Sequence, residues 1–264
     1  MPTFKLTIEY EGTRYSGWQA QGNTSRTVQG LIQAAAAEVV GEATIGGAGR
    51  TDAGVHAAAQ VAHLKTRRSI RPFELRKGLN DGLPHDIHIL RVDEADARFH
   101  ARHDATARAY LYQISTRRSA FAKPFIWWIR DALDVERMKS AAVAFQGKHD
   151  FAAFADKRVD DEASLVVVDR VEVGQAGDLI LLRFVASHFL WRMVRKLVAA
   201  LAEVGRGTLD RPAIEATLRG KRGRFEPSAP ASGLFLEAVL YGNDLRRPLE
   251  PIVPVTTPDE ARRR

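Results

Sequence analysis

The chain contains, at residues 49–57, the string Gly49-Arg50-Thr51-Asp52-Ala53-Gly54-Val55-His56-Ala57. No apolar period of a helix or a strand runs through it, so core packing does not explain its composition. One carboxylate, Asp52, lies beside the guanidinium of Arg50 and between glycines, which allow positive φ and close approach of the backbone to a ligand. An isolated Asp-Ala-Gly is more often a simple turn in which the Asp caps the backbone. These nine residues alone do not distinguish a turn from a reactive site, so the other motifs of the chain are needed to choose between the two.

The composition is that of a globular protein of one large domain or two modest ones. The chain has 264 residues, of which 45% are hydrophobic and 27% are charged. We expect no membrane association, because no apolar stretch is long enough to span a bilayer and residues 1–5 lack a signal-peptide core. The chain has no cysteine, which excludes disulfides and thiolate chemistry and favours a cytoplasmic location.

The net charge is +7, and basic residues cluster in two stretches, at residues 65–77 and 219–224. Clustered Lys and Arg favour a polyanionic partner, because binding neutralises phosphates and releases counterions. A generally basic, solvated surface is the alternative, and charge alone does not distinguish it from a nucleic-acid-binding surface.

Hydrophobic periodicity predicts helices and strands in both halves of the chain. In the first half we predict strands at 4–10, 58–64 and 87–92, and helices at 28–40 and 72–81. In the second half we predict strands at 110–114 and 234–241, a hairpin of 165–173 and 179–187 with its turn at 174–178, and helices at 135–146, up to about 205, and at 211–219.

Each half thus mixes three or four strands with about two helices, which predicts an α+β fold with two layers per half. We expect an N-terminal half at 1–105 and a second half at 106–245. Residues 246–264 are rich in proline and arginine. They are predicted to form a poorly ordered or surface-wrapping tail. The two halves show no strong internal sequence repeat.

Further motifs occur in chain order: Tyr15-Ser16-Gly17-Trp18-Gln19, Phe99-His100-Ala101-Arg102, Arg108-Ala109-Tyr110-Leu111-Tyr112, Asp150-Phe151-Ala152-Ala153-Phe154, Phe189-Leu190-Trp191-Arg192-Met193-Val194-Arg195 and Pro230-Ala231-Ser232-Gly233-Leu234-Phe235-Leu236. Together with residues 49–57, they resemble the TruA-type transfer-RNA pseudouridine synthases, from about residue 4 to 241. The resemblance implies two ferredoxin-like halves whose mostly antiparallel sheets meet at a central catalytic cleft. It also implies a homodimer that holds one tRNA across both subunits.

The resemblance implies that the protein isomerises uridine to pseudouridine in the anticodon stem-loop of tRNA, at positions 38, 39 and 40, with base flipping and without a metal or other cofactor. Asp52 would be the nucleophile, attacking either the sugar C1′ or the base C6. Arg195 would be its ion-pair partner, which keeps the carboxylate ionised and lowers its pKa. Taken alone, Arg195 would more often be an exposed arginine of an amphipathic helix, since surface arginines are the usual case.

The resemblance places Tyr110 in the uridine pocket, stacking on the base first and transferring a proton second. Without the flanking motif, it would be a strand tyrosine half in the core. Arg50 would contact phosphate or fill the space left by the everted nucleotide. Its alternative is a local salt bridge.

Two departures from the family pattern concern the surroundings of these residues. His103-Asp104 replaces an aromatic-serine pair, and Trp191-Arg192 replaces an aromatic-histidine pair. The histidine pairs at 85 and 88 and at 100 and 103 have a spacing that can suit a metal, but they lack a supporting ligand set.

Two rival functions have to be weighed. A non-catalytic RNA-binding protein on the same scaffold would not need the retained Asp52, Tyr110 and Arg195. A nucleoside or glycoside hydrolase would require a second acidic group near Asp52, and the motif supplies none.

Overall fold

A computed structural model of the chain describes residues 1–22, 24–156, 164–242, 245 and 247–255. In chain order its strands are β1 (Thr3–Tyr10), β2 (Ala43–Gly47), β3 (His56–Thr66), β4 (Ile87–Ala95), β5 (Ala107–Ser115), β6 (Trp127–Trp128), β7 (Gly147–Asp150), β8 (Leu165–Ala176), β9 (Leu179–Ala186) and β10 (Leu234–Leu240). Its α-helices are α1 (Val28–Val40), α2 (Pro72–Gly82), α3 (Val135–Ala142), α4 (Met193–Arg206) and α5 (Arg211–Leu218). Within the described ranges, no helix combines the length and apolarity needed to cross a membrane.

The chain forms two compact units. The first contains Met1–Ala109 and Phe235–Leu245, and the second contains Tyr110–Leu234 together with the described C-terminal residues 247–255. Each unit combines helices with strands that pair mostly antiparallel. The predicted α+β class is therefore confirmed.

The last strand belongs to the first unit, whereas the boundaries expected from the sequence placed it in the second half. In β10, Phe235 pairs with His56 and Leu236 pairs with Ala57, so that β10 runs parallel to β3. The rings of Phe235 and His56 also stack, with centroids 4.8 Å apart. Strands so far apart in sequence give no local signal of their pairing.

The first unit has the strand order β4-β1-β3-β10, with β2 also paired to β3. Alternation in β1 buries Phe4, Leu6 and Ile8, as the period-2 pattern predicted. Helix α1 begins where the Thr27 hydroxyl accepts a hydrogen bond from the Gly30 amide, and α1 packs against α2. Strand β2 was not predicted, because its glycine-rich sequence lacks a clear alternation.

The second unit has the strand order β5-β9-β8-β7, with the short β6 paired in parallel to β5. Helix α3 packs on α4, α5 and β8. The hairpin was predicted with a turn at 174–178, but β8 extends through Ala176 and only Gly177 and Asp178 form the turn. Strands β6 and β7 were not predicted, since they are two and four residues long.

Buried polar side chains of the second unit hold the C-terminal segment 247–255. Gln113, on β5, is fully buried, and its carbonyl accepts from the Ile252 amide at 2.8 Å and the Val253 amide at 3.2 Å. Arg183, on β9, donates to the carbonyls of Arg247 and Pro248. The described part of the predicted tail is therefore anchored to the second unit.

Replacing Gln113 with leucine should release this segment. The change leaves the two amides and the carbonyls of Phe125 and Val253 without their partner, at a cost of about 1–3 kcal/mol in the free energy of unfolding. Limited trypsin digestion should then cut faster near Arg247, as followed by mass spectrometry. The exposed Gln175→Leu is the control, and an unchanged digestion pattern in Gln113→Leu would contradict this anchoring role.

Three histidines of the first unit form a group in which neighbouring rings are in contact and tilted against one another. The ring of His63 on β3 lies 4.6 Å from that of His100, which lies 4.2 Å from that of His103. The Nδ1 atom of His63 accepts from the Ala101 amide at 3.2 Å. Asp104 accepts from the His100 amide at 2.9 Å. His103 and Asp104, which depart from the family pattern, thus support the Phe99–Arg102 block.

The buried imidazole of His63 is held neutral. Burial is the largest cause that lowers its pKa from 6.5 to about 4, and the nearby His100 and Lys65 lower it further while Asp104 raises it. The unfolded chain therefore binds a proton on this histidine more readily than the folded protein does. The stabilisation from neutral His63 is complete above about pH 6.5 and is lost as the pH falls toward 4.

We expect His63→Asn to flatten this part of the pH dependence. The Asn carbonyl can still accept from the Ala101 amide, but it does not titrate. Melting temperatures between pH 7.5 and 4.5 should fall less steeply for His63→Asn than for the parent protein. The exposed His88→Asn should follow the parent, and identical slopes for His63→Asn and the parent would refute the assignment.

Candidate active site

Asp52 lies in the loop that connects β2 to β3 in the first unit. The loop is closed by a hydrogen bond from the Val55 amide to the Asp52 carbonyl at 3.1 Å, and Gly54 has a φ of 78°. At its start, the side chain of buried Gln60 donates to the Gly49 carbonyl at 2.8 Å. Asp52 itself is partly buried. Hydrogen bonds to backbone carbonyls thus fix the loop on both sides of the carboxylate.

Thr51 anchors the loop from inside the first unit. Its side chain is buried, and its hydroxyl lies 2.8 Å from the hydroxyl of Tyr10. Its carbonyl accepts from the Trp18 amide at 3.0 Å. Burial raises the pKa of Tyr10, against smaller opposing effects of hydrogen bonds with Thr51 and Gln60, so this phenol stays neutral.

Two glycines let the segment after β1 lie directly against the loop. Gly17 has a φ of 95°, and a Cβ placed there would be 2.6 Å from the Thr51 carbonyl oxygen. A Cβ on Gly12 would be 2.0 Å from the carbonyl oxygen of Val55. Real Cβ atoms do not approach backbone so closely, so both positions require glycine. The structure therefore brings the Tyr15–Gln19 motif into contact with the Asp52 loop.

Arg50 projects from the same loop and is exposed. Its Nε donates to the side-chain oxygen of Gln19 at 3.0 Å, and the amide of Gln19 donates in turn to Gln29 on α1. The contact that orients Arg50 is therefore a hydrogen bond to a neutral side-chain amide, and not the local salt bridge of the alternative interpretation. Arg50 is thus oriented beside Asp52 while its charge remains at the surface.

Tyr110 and Arg195 lie in the second unit. Tyr110, on β5, is buried and meets the ring of Phe189 edge to face, with centroids 5.1 Å apart. Arg195, in the first turn of α4, donates from Nε to the Ala229 carbonyl at 2.6 Å, and its own carbonyl accepts from the Ala229 amide at 3.0 Å. The ring of Tyr110 and the guanidinium of Arg195 therefore each contact another residue of the second unit.

Tyr112, two residues beyond Tyr110 on the same face of β5, was not selected from the sequence. Its hydroxyl donates to the Pro230 carbonyl at 2.8 Å. Burial raises its pKa well above the ordinary value, and the positive charge of Arg195 acts in the opposite direction. The guanidinium of Arg195 is therefore close enough to act on the phenol of Tyr112. The sequence could have pointed to Tyr112 through its position two residues after Tyr110, because alternate residues of a strand lie on the same face.

The four residues selected from the sequence are thus divided between the units. Asp52 and Arg50 come together on one loop of the first unit, and Tyr110 and Arg195 belong to the second. The action of all four on one nucleotide remains a prediction. Among the described residues, no group of three or more His, Asp or Glu side chains could hold a metal ion.

The chain matches the family model described as tRNA pseudouridine synthase over residues 6–104 and 141–242. It belongs to the tRNA pseudouridine synthase family. Asp52 and Arg195 lie inside the matched segments, and Tyr110 lies between them. As a member of this family, the protein is an isomerase that acts on tRNA.

Relatives with this family name are similar over nearly the whole chain. A tRNA pseudouridine synthase A 2 of Bacillus cereus is 41% identical, covering 91% of this chain and 100% of its own. A tRNA pseudouridine synthase A of Xanthobacter autotrophicus is 42% identical with the same coverage. A solved Cbf5-Nop10-Gar1 complex is 13% identical, with a TM-score of 0.33 over 75% of this chain and 44% of that one. The last similarity is too remote to carry an argument.

In this family member, Gly17→Ala should disturb the Asp52 loop. The added Cβ meets backbone and forces a positive φ on alanine, so the free energy of unfolding should fall by about 2–4 kcal/mol. Denaturant titration and the rate of pseudouridine formation in tRNA should both show the loss. Gly22→Ala is the matched control, because its Cβ would meet nothing within 4 Å. Equal behaviour of the two variants would contradict the close approach at Gly17.

Proposed function

We propose that the protein forms pseudouridine in the anticodon stem-loop of tRNA, at positions 38, 39 and 40, with Asp52 as the nucleophile and without a cofactor. The isomerisation of uridine in tRNA follows from membership of the family. The stem-loop positions rest on the sequence resemblance. The observation that most supports Asp52 is its place on a loop fixed by backbone contacts that require glycine.

The reaction exchanges one glycosidic bond for another within a single nucleotide. The bond between C1′ and N1 of uracil breaks, the uracil turns, and a bond forms between C1′ and C5. The proton on C5 is lost and N1 gains a proton, so no atom is added or removed overall. Asp52 would supply an electron pair for a transient covalent bond, to C1′ or to C6, and later leave.

A nucleophile of this kind must be held still before it reacts. Correct placement of reacting groups contributes several kcal/mol to catalysis, since entropy lost in the transition state is lost in advance. The contacts of Thr51 with Tyr10 and Trp18 restrict the backbone next to Asp52. The loop is therefore suited to present one carboxylate in one orientation.

Arg50 would assist the eversion of the target nucleotide. Extruding a base from a stem costs a few kcal/mol in lost stacking. An exposed guanidinium oriented by Gln19 can contact a phosphate or enter the gap that the base leaves. Either contact would offset part of the cost at a point next to the nucleophile.

Tyr110 and Arg195 would complete the site around the everted uridine. The ring of Tyr110, fixed by burial and by Phe189, is proposed to stack on the base, with proton transfer as its second role. Arg195 is proposed to keep Asp52 ionised through its positive charge. We further propose a cytoplasmic homodimer that binds one tRNA across both subunits, as the resemblance implies.

Asp52→Asn should abolish turnover and leave RNA binding nearly intact. The amide keeps the shape of the side chain but is a poor nucleophile, so the rate of tritium release from C5-labelled uridine in tRNA should fall by more than about 1,000-fold. A binding titration at fixed salt should give a dissociation constant close to that of the parent protein.

Asp81→Asn is the control for this experiment, because Asp81 is an exposed partner of Lys77 on α2 and should leave the rate unchanged. Near-normal turnover by Asp52→Asn would exclude Asp52 as the nucleophile. A parent protein that binds tRNA without isomerising it would favour the non-catalytic alternative. Free uracil among the products would favour a hydrolase.

A further inference from the structure

A charged cluster of the second unit surrounds the residues next to Arg195. Lys196 is 1% exposed, and its Nζ lies 3.0 Å from Oδ1 of Asp156. Arg192 places Nη1 2.8 Å from Oδ2 of the same carboxylate. Asp156 thus binds two cations that lie three residues before and one residue after Arg195. The proposed chemistry does not use any of these three residues.

The start of α4 lacks a side-chain cap of its own. Arg192, just before the helix, has a φ of 59° and a ψ of 9°, and no side chain accepts from the first turn. Among the described residues, it is the only non-glycine residue with positive φ. This conformation is unfavourable for an L-residue and needs support from its surroundings. That support includes the Asp156 carboxylate and the hydrogen bond from the Asp156 amide to the Trp191 carbonyl at 3.2 Å.

Lys196 links the same carboxylate to the segment that orients Arg195. Its Nζ donates to the Phe225 carbonyl at 2.5 Å and lies 3.4 Å from the Glu226 carbonyl oxygen. A few residues later, the Ala229 carbonyl accepts from Nε of Arg195. The segment 225–229 is therefore held at one end by Lys196 and at the other by Arg195 itself.

We propose that Asp156 is a positioning residue for Arg195, which it orients through Arg192 and Lys196. This inference rests on the proposed function, because it takes Arg195 as part of the active site. Burial raises the pKa of Asp156, but hydrogen bonds from Lys196 and Arg192 and their charges prevail and hold it below the ordinary value. The carboxylate is therefore charged at neutral pH and can hold both cations.

A merely stabilising role would also make Asp156 variants less stable, so stability alone is not a test. A double-mutant cycle separates the two roles. If Asp156 acts through Arg195, its removal should matter only while Arg195 is present. If it only stabilises the fold, its removal should have the same effect on the rate with or without Arg195.

The cycle consists of the full-length parent, Asp156→Asn, Arg195→Lys and the double variant, assayed with the same tRNA. We expect Asp156→Asn to lower the single-turnover rate by about 10- to 100-fold, as small misplacements of catalytic groups do. The dissociation constant for tRNA should change by less than about 2-fold, since exposed basic residues dominate binding. In the Arg195→Lys background, Asp156→Asn should change the rate by less than about 3-fold.

A second variant tests whether the lower rate of Asp156→Asn comes only from a loss of folded protein. Asp156→Asn combined with Lys196→Met also removes the buried charge of Lys196, which Asp156→Asn alone would leave without its counter-charge, but it leaves segment 225–229 without its donor. The melting temperature should recover toward that of the parent while the rate stays low. Asp131→Asn, which removes one carboxylate partner of Arg206 at the other end of α4 and leaves Glu203 as the other, should leave the rate unchanged.

Equal rate losses in both backgrounds, or a rate that recovers together with the melting temperature, would overturn the positioning role. The result for Asp52→Asn separates this failure from failure of the proposed function. An inactive Asp52→Asn with a fully active Asp156→Asn would reject only the role of Asp156. An active Asp52→Asn would reject the proposed mechanism itself.

Discussion

The close backbone contact between the segment after β1 and the loop before β3 is the constraint on which the candidate site depends. At Gly12 and Gly17 there is no space for a Cβ, because carbonyl oxygens of the loop occupy it. The hydrogen bond from the Trp18 amide to the Thr51 carbonyl, and the one between the hydroxyls of Tyr10 and Thr51, then complete the attachment. The core of the first unit thereby determines the position of Asp52, although the carboxylate takes no part in that core.

The sequence was most informative where a feature is local. Alternation predicted β1, helices predicted to begin at 28, 135 and 211 begin there in α1, α3 and α5, and a string without apolar period revealed the Asp52 loop. It failed where partners are distant. The parallel pairing of β10 with β3 moved a strand from one predicted half to the other, and two-residue β6 is too short to show a period.

The same limit applies to the site. Asp52 and Arg50 are neighbours in sequence, so their proximity was predictable. Asp156 and Lys196 are far apart in the chain, and neither carries a motif that announces an ion pair. Arg192 was visible only as a basic residue of the Phe189–Arg195 motif, at a position that departs from the family pattern, and Lys196 lies just after that motif.

The net charge of the chain overstates how many cations its surface presents, because some of its Lys and Arg side chains are buried. Arg183 and Lys196 count toward the +7, yet each is 1% exposed and bound to backbone carbonyls and a carboxylate. Such cations cannot meet a phosphate. Buried ion pairs of this kind add little net stability, and they link chain segments that apolar packing alone would leave free to shift.

The parallel pairing of β10 with β3 has a consequence for biosynthesis. A ribosome makes β3 long before residues 235–240, so the short stretch of strand edge that pairs with β10 stays without this neighbour until those residues have been made. The edge includes His56 and Ala57, which directly follow the Asp52 loop. The framework next to the Asp52 loop is therefore completed only after residues 235–240 have left the ribosome and paired with the first residues of β3.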